Sequence, residues 1–157
     1  MPVWHIFHPE NAYTADEKIE LGKRITNIYT DNFDLNLPPF YVGVFFHGFA
    51  PESYIVGGEP RDRSVHVDIL HIARTHDQVA EHVGLPIEEV NKTFLGFAHE
   101  ALNPYIKDRG YESELYVQQT ERDTWQIDGL VPPPSWSEAE RRWAKDNRSS
   151  PYDAAAQ

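Results

Sequence analysis

The chain opens Met1-Pro2-Val3-Trp4-His5-Ile6-Phe7, and the residue with the most distinctive chemistry is the second. An initiator methionine ahead of a residue as small as proline is ordinarily removed, which makes Pro2 the expected first residue of the mature chain. Within a chain, a proline nitrogen is a tertiary amide, neither base nor nucleophile. At an amino terminus it is a secondary amine that titrates within reach of neutral pH. Burial in apolar surroundings lowers its pKa, and a nearby carboxylate raises it. A group whose pKa lies near the working pH is what proton-transfer catalysis requires.

The other reactive side chains point less sharply. There are eight histidines and no cysteine. The lack of cysteine excludes disulfides, thiol nucleophiles, iron–sulfur clusters and cysteine zinc sites. His66-Val67-Asp68 puts two metal-ligand types on one strand face, with His71 on the opposite face. His99-Glu100 has no second histidine four residues on, so it is not a zincin helix, and no third ligand converges on either place. Walker loops, GxGxxG and GxSxG are missing from the sequence. The expectation is chemistry without a cofactor or metal.

Composition narrows the partners. At 157 residues, with 40% hydrophobic and 13% aromatic content, the chain is long enough and apolar enough to fold around its own core as one domain. Lys plus Arg number 14 against 25 Asp plus Glu, a formal net charge of −11, which repels nucleic acid and anionic membranes. Arg61, Arg63 and Arg74 are the local basic spots. No apolar run reaches membrane-spanning length, and the amino end lacks a signal-peptide pattern, so the expected location is the cytoplasm.

The elements that must position Pro2 follow from periodicity. Val3 to Phe7 reads as a strand ended by His8-Pro9. Thr14-Ala15-Asp16-Glu17 is a capping box, and Leu21, Ile25, Ile28 and Tyr29 continue at helical spacing. Pro38-Pro39 breaks the chain before Phe40 to Phe46, a second strand. The same order then recurs. A Gly57-Gly58 turn precedes an alternating strand over Ser64 to Ile72, and Thr75-His76-Asp77-Gln78 caps a short helix ended by Gly84-Leu85-Pro86. Ile87, Val90, Phe94, Phe97 and Ala101 mark a longer helix, and Glu114 to Thr120 a further strand. Two tandem β-α-β units thus predict an α/β fold, a mostly parallel four-stranded sheet with helices on one face. Trp125 to Gly129 reads as a hairpin extension, Pro132 to Pro134 as extended chain, and Ser137 onward as a short charged helix with a frayed tail. The division is therefore a domain over 1–134, with units 2–50 and 64–120, and a C-terminal helix and tail over 135–157.

A Pro2-headed strand leading two such units resembles the tautomerase superfamily. More closely, the chain is similar to the cis-3-chloroacrylic acid dehalogenase group, whose members are fused double units that form trimers. The stretches that carry this are PVWHIF, Gly57-Gly58, SVHVDILHIAR, ELYV and GLVPPP, reaching Pro134. The resemblance implies proton transfer by Pro2. It places Arg74 as one of two arginines that hold a substrate carboxylate, the other falling on Ile72 or Ala73. It makes Tyr116 the tyrosine that polarises substrate or activates water, and puts Tyr29 where the group has a histidine. The water-directing glutamate falls near Ile127, with Asp128 one place away. Arg122 and Trp125 would line the pocket from a neighbouring subunit.

Plainer roles stand beside these: a salt bridge for Arg74, packing for Tyr29 and Tyr116, a turn for Asp128. The combined expectation is a homotrimeric, cofactor-independent tautomerase acting on a small oxo-acid. The alternatives are hydration or dehalogenation of an unsaturated acid by a cationic Pro2, or a binding protein on the same scaffold.

Overall fold

The structure is a computed structural model and describes residues 1–32, 35–72 and 74–153. Its elements in chain order are β1 (Pro2–Pro9), α1 (Ala15–Asp31), β2 (Gly43–Phe49), β3 (Ile55–Val56), β4 (Glu59–Pro60), β5 (Ser64–Ile72), α2 (His76–Val83), α3 (Ile87–Leu102), β6 (Glu112–Thr120) and α4 (Glu138–Asp146). The main sheet has the order β2-β1-β5-β6. Within each unit the strands run parallel, β1 with β2 and β5 with β6, while β1 and β5 meet antiparallel at the centre.

Both capping boxes form as the sequence predicts. The Thr14 hydroxyl accepts from the Glu17 amide and Glu17 accepts from the Thr14 amide; Thr75 and Gln78 do the same at α2. Leu21, Ile25, Ile28 and Tyr29 of α1, with Val90, Phe94, Ala98 and Ala101 of α3, lie on one side of the sheet. They cover Trp4, Ile6, Val65, Val67 and Ile69, each at most 1% exposed. Burying each such side chain contributes about 1.5–3 kcal/mol. Gly57 and Gly58 both adopt positive φ, 62° and 87°, the hand that a two-residue hairpin between β3 and β4 demands.

Two expectations shift. β2 starts at Gly43, not Phe40, because Pro38-Pro39 lead into a 3-10 turn over Pro39–Tyr41 before the strand begins. The part after residue 134 is no loose appendage. Trp143 of α4 is fully buried, edge-on to Tyr41 at 6.2 Å, and its indole donates to the Ser150 carbonyl at 2.9 Å. Ser149 donates to Asp128 and Tyr152 to the Val131 carbonyl, which ties the chain down as far as residue 152. A charged helix with one apolar stripe hid that anchor. Among the described residues no helix is long and apolar enough to cross a membrane.

Candidate active site

The antiparallel register of β1 and β5 sets Pro2 directly opposite His71. Around this point lies a cleft whose atom-free space, with the open solvent at its mouth included, is about 410 Å³. The strand ends supply Met1, Pro2, His71 and Ile72, and α1 supplies Tyr29. His76 and Val79 come from α2, Val90 and Phe94 from α3, and Leu35, Leu37 and Arg74 from connecting segments. Proline suits the first position of a strand, since it has no amide hydrogen to give a ladder.

Met1 caps the cleft. Its ammonium donates to the Ile72 carbonyl, and the Ile72 amide donates to the Met1 carbonyl at 2.9 Å. Loss of hydration on burial pulls that ammonium down to about 4; the charge of Arg74 adds to the effect and Glu140 opposes it. In a chain that begins at Pro2 the terminal group would be a secondary amine at the end of β1 that lines this cleft. The Ile72 N–H then loses its acceptor and becomes a donor beside that amine.

Three side chains fix the proton positions behind Pro2. An indole N–H only donates, so Trp4 Nε1 donates to the Tyr29 hydroxyl at 2.9 Å. The Tyr29 proton then goes to His71 Nε2 at 2.8 Å. His71 is thereby held as the tautomer protonated on Nδ1. Burial, then the neighbouring His76 and the chain's amino terminus, lower its pKa to about 3, so it is neutral. Burial also pushes the Tyr29 phenol well above its ordinary value. His76 Nδ1 lies 2.6 Å from Asn91 Oδ1, an atom that only accepts. Its proton therefore sits on Nδ1, and Nε2 is buried with no partner.

Arg74 lines the cleft, but its guanidinium is engaged by the C-terminal segment. Nη2 donates to Glu140 Oε2 at 2.6 Å, Nη1 to the Leu35 carbonyl at 2.9 Å and Nε to Ser135 Oγ at 3.3 Å. The ring of Trp136 lies 4.3 Å from its central carbon. Both partners of the ion pair are buried, 7% and 6% exposed.

Of the residues singled out from sequence, the structure brings Pro2, Tyr29 and Arg74 together at one cleft. Four others lie elsewhere. Tyr116 is on the far face of the sheet, in register with Asp68, whose hydrogen bond raises its pKa. Asp128 sits in a tight turn closed by Ile127 and Leu130, with φ of 51°, and accepts from Ser149. Trp125 is core, edge-on to Tyr41 at 4.9 Å. Arg122 donates to the Pro132 carbonyl beside an outer depression formed with His82 and Trp136. Ile72 lines the cleft, whereas Ala73 lies outside the described residues.

Residues 1–148 match the family described as "Putative oxalocrotonate tautomerase enzyme". The chain belongs to this family. Native RhCC from Rhodococcus jostii RHA1 is 42% identical, with 96% of this chain and 99% of that chain covered and a TM-score of 0.86. A "probable enzyme" from the thermophilic fungus Aspergillus fumigatus is 34% identical over 97% of this chain and 98% of that one, TM-score 0.83. N1, a member of the cis-3-chloroacrylic acid dehalogenase family, is 14% identical, covers 92% and 97% of the two chains with a TM-score of 0.58, and shares the fold. No curated protein matches the chain.

The candidate site also contains two residues that sequence reasoning did not assign to it, His71 and His76. The alternation in SVHVDILHI puts His71 on the buried face with Val65, Val67 and Ile69. Its position across from Pro2 depends on a pairing between strands some 60 residues apart, roughly a whole unit of the fold. His76 looked like the first residue of a capped helix, and it is that as well.

Proposed function

We propose that the mature chain is a cofactor-independent tautomerase. The Pro2 amine takes a proton from the carbon α to the carbonyl of a small enolisable compound and returns it at another position; oxo-acids are the class expected from sequence. The observation that carries this reading is the desolvated amino end of β1, opposite His71 in a largely apolar cleft. An amine placed there favours its neutral form at neutral pH and serves as a base. Hydration of an unsaturated acid would require a cationic Pro2 and a carboxylate to direct water. Desolvation opposes the first, and Asp128 is engaged in a turn away from the cleft.

The sheet face opposite the helices presents His5, Phe7, Phe45 and His47, whose rings lie within 10–23° of parallel. Phe45 is 54% exposed. Assembly into a homotrimer through this face is part of the reading, and light scattering checks it as a mass three times that of the chain.

The test is a chain carrying a removable extension ahead of Pro2. It is expected to be inactive in α-proton exchange until the extension is cut off, with intact mass confirming a Pro2 amino terminus. Equal activity before and after cutting overturns the reading.

A further inference from the structure

The cleft offers a matched donor and acceptor. The Trp4–Tyr29–His71 chain leaves His71 with a proton on Nδ1, and this nitrogen has no partner among the described residues. The His76–Asn91 bond leaves His76 Nε2 as a lone pair, buried and unpartnered. A buried polar atom without a partner costs about 1–3 kcal/mol, so a ligand that supplies one is favoured by that amount of unmet bonding. The two rings are 4.9 Å apart, centroid to centroid, and both line the cleft that Pro2 opens. Among the described lining residues the arginine, Arg74, is already matched by Glu140 at 2.6 Å. A substrate carboxylate would have to compete with that carboxylate for it, whereas an enol hydroxyl meets both imidazoles without competition, accepting from His71 Nδ1–H and donating to the His76 Nε2 lone pair.

We propose that the cleft takes an uncharged enolisable carbonyl compound by its oxygen, His71 Nδ1–H donating to that oxygen and His76 Nε2 carrying the proton on and off it while Pro2 acts at carbon. This deepens, and rests on, the Pro2 reading. Before a ketone binds, the His76 Nε2 lone pair takes a proton from solvent, and the pair Pro2 and His76 then holds one proton between them. From ketone to enol, the Cα–H bond breaks and its proton goes to the Pro2 amine. The electron pair forms C=C, the carbonyl π pair moves to oxygen, and oxygen takes the proton from His76 Nε2–H. Pro2 ends as ammonium and His76 as imidazole. The Pro2 ammonium then gives its proton to solvent and His76 Nε2 takes one from solvent, which restores the pair for the next turnover. The reverse direction inverts each transfer.

Phenylpyruvate and its methyl ester are paired probes that differ in charge at a single group. With the chain starting at Pro2, kcat/KM for solvent-deuterium exchange is expected to be at least about tenfold higher for the ester. His76→Gln is expected to lower ester turnover by about 10²-fold, the usual weight of one acid–base group. Should that variant fail to fold, Asn91→Leu, at an exposed position that leaves the ring in place, is expected to lower it too, by releasing the tautomer. Faster exchange of the acid than the ester overturns the substrate class. Ester turnover within threefold of wild type in a folded His76→Gln or Asn91→Leu overturns the role of His76. Pro2→Ala, run in parallel, separates these failures from failure of the parent reading, since only the latter leaves Pro2→Ala as active as wild type.

Discussion

The Tyr29 hydroxyl accepts from the Trp4 indole at 2.9 Å, and its own buried proton finds its acceptor in His71 Nε2 at 2.8 Å. One tryptophan on the buried face of β1 thus sets the tautomer of a histidine on β5 through a tyrosine on α1. Tyr29→Phe removes both bonds and leaves the Trp4 N–H buried without an acceptor. Chemical denaturation is expected to show a loss of about 1–3 kcal/mol. Trp4→Phe should cost more, since it also opens a cavity in the fully buried core.

His71 gives stability a pH dependence with a definite sign. Its folded pKa is about 3 against an ordinary 6.5, so between these values the unfolded chain binds more protons. Stability is in place above about pH 6.5 and is lost as pH falls toward 3, with a slope of at most about 1.4 kcal/mol per pH unit from this group. His8, lowered chiefly by burial, acts in the same direction. Urea melts of His71→Asn between pH 4 and 7, compared with wild type, are expected to show a shallower slope.

The Arg74–Glu140 pair fastens α4 to the cleft. Removing either partner leaves a buried charge alone, so Arg74→Met and Glu140→Gln are each expected to destabilise by about 3–5 kcal/mol. The double variant should recover part of the loss, and a double-mutant cycle reads the coupling directly.

The periodic elements were legible in the sequence because each is set locally. The capping boxes at Thr14 and Thr75 and the helical spacing of Leu21, Ile25, Ile28 and Tyr29 are short-range signals. The placement of Pro2, Tyr29 and Arg74 at one cleft agrees with the two-unit pattern. What could not be read is long-range. Glu140 lies 66 residues beyond Arg74, and nothing nearby in sequence announces that the pair meets. On β6 Leu115 and Val117 face the core, and Tyr116, which alternates with them, falls on the exposed face away from Pro2. In sequence His71 is the strand residue facing away from His66 and Asp68, and His76 is part of a helix cap; the antiparallel pairing of the two units puts His71 opposite Pro2.

The amine of Pro2 has a pH signature of its own. Burial at this end of β1 draws the Met1 ammonium down, and the same cleft is expected to lower the Pro2 amine once Pro2 leads the chain. A base with a lowered pKa is active wherever it is unprotonated. So kcat/KM for exchange is expected to be flat through pH 7–8 and to fall only on the acid side. A rate that instead declines as pH rises through neutrality marks a cationic proline acting as an acid.

The most direct measurement is the rate of solvent-deuterium incorporation at the α-carbon of a small enolisable carbonyl compound, for the mature chain and for Pro2→Ala, each confirmed by intact mass to lack Met1. A primary amine in place of the secondary one, without the ring that shapes the strand's first residue, is expected to lower kcat/KM by about 10²-fold or more. Equal exchange by the two proteins would contradict proton transfer at Pro2.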